Sequence, residues 1–125
     1  MCLYIYSRNQ HTANKDLVVY KILLRHSFKE RISPYMDFKY KLKILYTSPF
    51  SIRKSLHSKD LYCINEGLHA FTSIDIAKRT LPYFIKGGIY KCIIPKGSLY
   101  YINEEDNEIA SNKLIVKRKL WFNRF

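Results

Sequence analysis

The clearest pattern in the chain is an alternation. Phe38, Tyr40, Leu42 and Ile44 are separated by Lys39, Lys41 and Lys43. Side chains with a period of two point to opposite faces, so Phe38–Tyr46 reads as a half-buried strand with one wholly basic face. Leu17–Leu24 (LVVYKILL) has no polar face and is rich in β-branched residues, as a central strand would be. Ser48-Pro49 looks like a cap followed by a first-turn proline and predicts a short helix near Pro49–Leu56. Asn65-Glu66-Gly67 reads as a turn before a short strand at Leu68–Phe71. Thr72 or Ser73 then caps a helix through about Thr80, with Asp75 three residues after Thr72 and Pro82 limiting its length. Gly87-Gly88 is a turn into a strand at Ile89–Ile94, and Pro95-Lys96-Gly97-Ser98 turns the chain into Leu99–Ile102. An acidic tip at Asn103–Asn107 precedes a strand at Leu114–Lys117, and Leu120-Trp121-Phe122 is apolar enough to dock on the body.

These elements predict an α+β fold: a single domain over residues 1–125, with a twisted, mostly antiparallel sheet and one main helix near Ser73–Thr80. Composition agrees. With 47% hydrophobic and 15% aromatic residues, a chain of 125 residues can build one core without disulfide support. The apolar runs, such as Leu17–Tyr20 and Ile22–Leu24, are far shorter than the roughly 20 residues a bilayer requires, and no membrane association is expected. The N-terminus lacks the order of a signal peptide. Three cysteines, Cys2, Cys63 and Cys92, form no close pair and read as free buried thiols of a reducing cytoplasm.

Charge changes the picture most. Lys and Arg number 22 against 10 Asp and Glu, a net charge of +12, and four of the acids (Glu104, Glu105, Asp106 and Glu108) crowd into one tip. Such a field attracts polyanions. The same excess of Lys alongside Ile, Asn and Tyr also suits A/T-rich coding, which leaves a compositional origin open. Lys39, Lys41 and Lys43, with Tyr35, Phe38 or Tyr40 nearby for stacking, would track a nucleic-acid backbone. They would equally serve as the guard of an exposed edge strand. Lys117, Arg118 and Lys119, with Arg124 and beside Trp121, form a second cluster for phosphate contact and stacking, or a solvated charge run. His11, His26, His57 and His69 are scattered with no zinc spacing, and His69 between Leu68 and Ala70 reads as a hydrogen-bonded core histidine. No P-loop, dinucleotide fingerprint, nucleophile elbow or Cys-x-x-Cys occurs, so neither metal nor cofactor is expected from motifs.

Two resemblances add to this reading. Val19-Tyr20-Lys21, Ser33-Pro34-Tyr35 with Phe38-Lys39-Tyr40, Gly67-Leu68-His69-Ala70-Phe71, Ile94–Tyr101 and Ser111–Val116 together resemble a group of small phage-associated proteins of gut bacteria. That resemblance implies a phage-associated gene and no particular activity. Over residues 18–117, Val19-Tyr20-Lys21, Gly67–Ser73 with Ile76-Ala77, and Cys92–Gly97 followed by Glu108 are similar to the ADP-ribosyltransferase fold. The second resemblance implies NAD as cofactor, Lys21 and Ser73 as its contacts, and Glu108 as the carboxylate stabilising an oxocarbenium-like centre. Lys21 stands where that family has Arg, and the serine-threonine-serine run is reduced to Thr72-Ser73.

The sequence thus predicts a non-catalytic, phage-associated accessory protein of the host cytoplasm that binds a phosphate-bearing ligand. The ligand would be nucleic acid or a small nucleotide, including a defence-signalling one, held through Lys39, Lys41, Lys43, Lys117, Arg118, Lys119 and Trp121. The alternatives are an NAD-using transferase or its inactive relative, and a virion-associated module that binds a phage or host protein through its Trp121-Phe122 end.

Overall fold

Leu17–Arg25 forms the central strand that its two apolar faces require, with Val19 and Leu23 buried on one side and Ile22 on the other. The computed structural model describes residues 3–6, 9–25, 31–32, 39–55, 61–81 and 87–122. In chain order the strands are β1 (Leu3–Ile5), β2 (His11–Thr12), β3 (Leu17–Arg25), β4 (Arg31–Ile32), β5 (Lys39–Tyr40), β6 (Leu45–Thr47), β7 (Ser51–Lys54), β8 (Tyr62–Glu66) and β9 (Leu68–Phe71). Helix α1 (Ile74–Thr80) follows, then β10 (Gly87–Ile94), β11 (Leu99–Asn103), β12 (Glu108–Ser111) and β13 (Lys113–Phe122). Every strand pairing among the described residues is antiparallel. The expected α+β domain with one helix is what forms, and the sheet dominates it.

The large sheet runs β2-β11-β12-β9-β3-β10-β13-β6, with β4 beside β3 and β5 beside β4. Its curvature follows from two short connections. Asn112 alone separates β12 from β13, yet β9, β3 and β10 lie between those strands in the sheet. A flat sheet would hold them about 19 Å apart, whereas one intervening residue spans at most about 7 Å. The four-residue turn Pro95–Ser98 joins β10 to β11 across a similar gap in strand order. The sheet therefore curls into an open barrel around Val19, Leu23, Leu68, Tyr90, Cys92 and Val116. Asn112 fastens the corner: its amide donates to the Leu99 carbonyl at 3.0 Å, and its side-chain oxygen accepts from the Leu99 amide at 2.9 Å.

Two smaller layers complete the core. Helix α1 lays Ala77, with Leu81 just beyond its end, on Ile22, Phe71 and Ile89 on the outer side of the barrel. The three-stranded sheet β1-β8-β7 packs Leu3, Ile5 and Ile64 against Tyr101 and Ala110. Gly67 passes the chain from that sheet into β9 at a φ of 141°, and a Cβ there would meet the Phe50 ring at 3.2 Å.

Four local expectations are corrected. Phe38–Tyr46 is not one strand, because a turn at Leu42-Lys43, with Lys43 at a φ of 64°, separates β5 from β6. Tyr40 sinks into the barrel and meets Tyr46 edge-on at 5.0 Å, and that burial favours the turn over a continued pleat. The expected helix near Pro49–Leu56 gives way to β7 at Ser51–Lys54, where Ile52 pairs with the buried Ile64 and gains the tertiary packing that a short helix needs to be stable. Gly87-Gly88 lies inside β10, opposite Leu24 and Leu23. Cys63 is disulfide-bonded, so the three cysteines are not all free; Cys92 is free and buried, and Cys2 lies outside the described residues. Among the described residues, no helix is long and apolar enough to cross a membrane.

Candidate nucleic-acid interface

Strand β13 presents its basic cluster in an unusual way. Lys117, Arg118 and Lys119 are all exposed, although successive strand residues ordinarily alternate between faces. The pairing with β10 explains this. Lys91 faces Arg118 while Cys92 faces Val116, which leaves Lys117 as an extra residue; Leu120 is a second extra residue between Lys119 and Trp121. Each bulge bends the strand and re-aims the side chains around it. Strand β6 pairs only with Lys113–Ile115, so the basic residues follow the end of that ladder.

The turn that interrupts the predicted lysine strand closes onto this segment. The Lys43 amide donates to the Val116 carbonyl at 2.7 Å, and the Lys41 amide donates to the Tyr46 hydroxyl at 2.6 Å. Lys39, Lys41 and Lys43 are all exposed, and the Lys43–Val116 bond seats the turn immediately beside Lys117. The two clusters, far apart in sequence, thus share one margin of the sheet. Lys91, directly opposite Arg118, adds a further cation that sequence reading missed. Only cross-strand register reveals it.

Of the expected aromatic partners, Tyr40 is not available for stacking: it is 2% exposed and serves the core. Phe38 and Tyr35 lie outside the described residues, and Trp121 stands opposite Ile89 in the β10–β13 ladder.

The residues of the transferase resemblance divide between two sides of the sheet. Tyr20 faces Phe71, and Phe71 faces Glu108, so these three share the outer face, whereas Lys21 points inward. Strands β3 and β9 pair at that one position and then part. The Lys21 ammonium fills the gap, donating to the His69 carbonyl beneath the Tyr40 ring, whose centroid is 5.2 Å away. Burial lowers its pKa to about 8, partly countered by the Cys92 sulfur. Burial in turn pushes the Cys92 thiol up to about 12. Glu108 is half-buried, and burial followed by the neighbouring Asp106 raises its pKa. Ser73 caps α1 through its carbonyl, and Thr72 donates its amide to the Asn107 carbonyl at 2.8 Å, which brings the Ser73 and Glu108 segments together. Lys21 does not join them.

His69 is the core histidine expected: its Nε2 donates to the Ile64 carbonyl at 3.1 Å, and burial, with Lys21 as the next cause, lowers its pKa to about 4. Glu104, Glu105 and Asp106 are exposed in the β11–β12 turn, where Asn103 binds the Asp106 carboxylate and amide at 3.0 and 3.2 Å. Among the described residues, no group of three His, Cys, Asp or Glu side chains is placed to hold a metal ion. No family model, curated protein or solved structure matches the chain.

Proposed function

We propose that the protein binds a polyanion, a nucleic acid, along the basic margin formed by Lys41, Lys43, Lys117, Arg118 and Lys119, and acts as a binding protein rather than a catalyst. The observation that carries this reading is the Lys43–Val116 hydrogen bond, which joins two basic segments into one surface. Edge protection alone would be served by the β13 cations. A turn that adds exposed lysines beside them concentrates positive potential beyond that need. Contacts of this kind are made to phosphates, so they position a ligand without reading its bases.

The test is fluorescence anisotropy of a labelled single-stranded oligonucleotide over a salt series. Five phosphate contacts predict that log K falls with log salt at a slope of about −3.5 for a single strand. No binding at about 50 mM salt, or binding that salt does not weaken, overturns the proposal.

A further inference from the structure

The outer face of the sheet carries a row of aliphatic side chains that no described element packs over. Register places Val18 opposite Ile93, Ile93 opposite Ile115, and Ile115 opposite Leu45, so one straight row crosses β3, β10, β13 and β6 on a single face. Val18 is 46% and Leu45 48% exposed, and Ile93 and Ile115 are partly exposed between them. Helix α1 occupies the other end of this face, over Ile22 and Ile89. The row spans about 14 Å, and its side chains adjoin one another rather than being scattered singly, the arrangement that marks interaction sites where it is extensive.

Cations border the row on both sides. Two residues along β10 from Ile93 is Lys91, paired with Arg118; two residues back along β13 from Ile115 is Lys113, paired with Thr47. Near the Leu45 end, Leu42 and Ile44 are also exposed, in the segment that carries Lys41 and Lys43. An occupant that complements this surface has apolar groups in its middle and negative charge along its flanks. A second copy of this chain, at +12, would set like charges against each other. A duplex keeps its base faces stacked inside and offers phosphates, sugars and groove edges but no base face to an apolar floor. A single strand can turn its bases down onto an apolar floor while its phosphates reach flanking cations.

Building on the polyanion reading, we infer that the ligand is single-stranded nucleic acid whose bases lie on the Val18–Ile93–Ile115–Leu45 floor, between Lys91 with Arg118 and Lys113. The row supplies affinity that depends on bases but not on their identity, and the cations supply the part that depends on salt.

The experiment compares three labelled probes of about 12 nucleotides: oligo(dT), a strand of the same length made of abasic sites, and a duplex. The account expects oligo(dT) to bind at least tenfold tighter than either of the others. Replacing Val18 and Leu45 together by Ser should bring oligo(dT) down to the abasic level without changing the salt slope, and a circular dichroism melt checks that this variant is folded. The wild-type comparison of oligo(dT) with the abasic strand needs no variant at all. Equal affinity for those two probes, or for single strand and duplex, refutes the floor and leaves the phosphate reading standing. Failure of all three to bind refutes both. Tighter binding of an acidic amphipathic peptide or of phosphatidylglycerol vesicles at the same salt would give this face a different occupant and overturn the inference.

Discussion

Lys21→Met, measured against the wild type from pH 7 to pH 9, tests whether a charged amine sits inside the barrel. The Lys21 ammonium lies beneath Tyr40 and donates to the His69 carbonyl, and burial brings its pKa from 10.5 to about 8. Because the folded pKa is lowered, the unfolded chain binds more protons between pH 8 and 10.5, and stability rises with pH across that window. Below pH 8 both states are protonated and the destabilisation, about 3 kcal/mol at full extent, is complete. Cys92 opposes this above its ordinary value of 9, since its folded pKa of about 12 makes the folded state hold the extra proton. Tyr40, also raised by burial, opposes it above 10. The interval from pH 8 to 9 therefore isolates Lys21. Methionine removes the charge but leaves the His69 carbonyl without its donor, at a cost of about 1–3 kcal/mol that does not vary with pH. The offset can place the variant above or below wild type at pH 7. The change in the difference is the signal: wild type should gain up to about 1.4 kcal/mol on the variant per pH unit in that interval. Urea denaturation followed by circular dichroism at pH 7, 8 and 9 reads it. Two stability curves that stay parallel over this range would refute a buried, titrating Lys21.

His69, whose pKa is lowered to about 4, should make the protein lose stability as pH falls from 6.5 to 4, because the unfolded state then binds the extra proton. His69→Gln, which keeps a donor for the Ile64 carbonyl, should flatten that loss in the same assay. Gly67→Ala should destabilise by more than about 1 kcal/mol, since Gly67 sits at a φ of 141° with the Phe50 ring beside it. Thiol titration of the unfolded, unreduced protein should find one reactive cysteine, Cys92, and three after reduction, given the Cys63 disulfide.

The parts of this fold that sequence makes legible are those whose local pattern agrees with their tertiary setting. Leu17–Leu24 has two apolar faces because Val19 and Leu23 pack inside the barrel while Ile22 packs outside it under α1. Ile89–Ile94 divides in the same way, with Cys92 and Ile94 inside and Ile89 under α1. Ser73 and Pro82 bracket α1 within a residue or two. Where the two levels conflict, tertiary contact decides. The Phe38–Tyr46 alternation breaks at Lys43 because Tyr40 is drawn into the core and the Lys43 amide finds the Val116 carbonyl. The sheet β1-β8-β7 was not anticipated, since strands of three to five residues such as Tyr62–Glu66 carry too little periodicity to stand out. The basic residues themselves were visible as clusters. Their meeting was not, because it depends on the register of β6 and β13 and on one bond between distant segments. The Val18–Leu45 row lies one level deeper still: each member comes from a different strand, and no window of sequence contains it.

The central claim is that the Lys41–Lys43 turn and the Lys117–Lys119 segment act on one polyanion. The most direct test is the salt dependence of oligo(dT) affinity for wild type and for the double variant Lys43→Gln, Arg118→Gln. Loss of two phosphate contacts should weaken binding and make the log–log slope shallower by about 1.4. A slope that does not change, with affinity intact, would show that these cations meet no phosphate and would contradict the account.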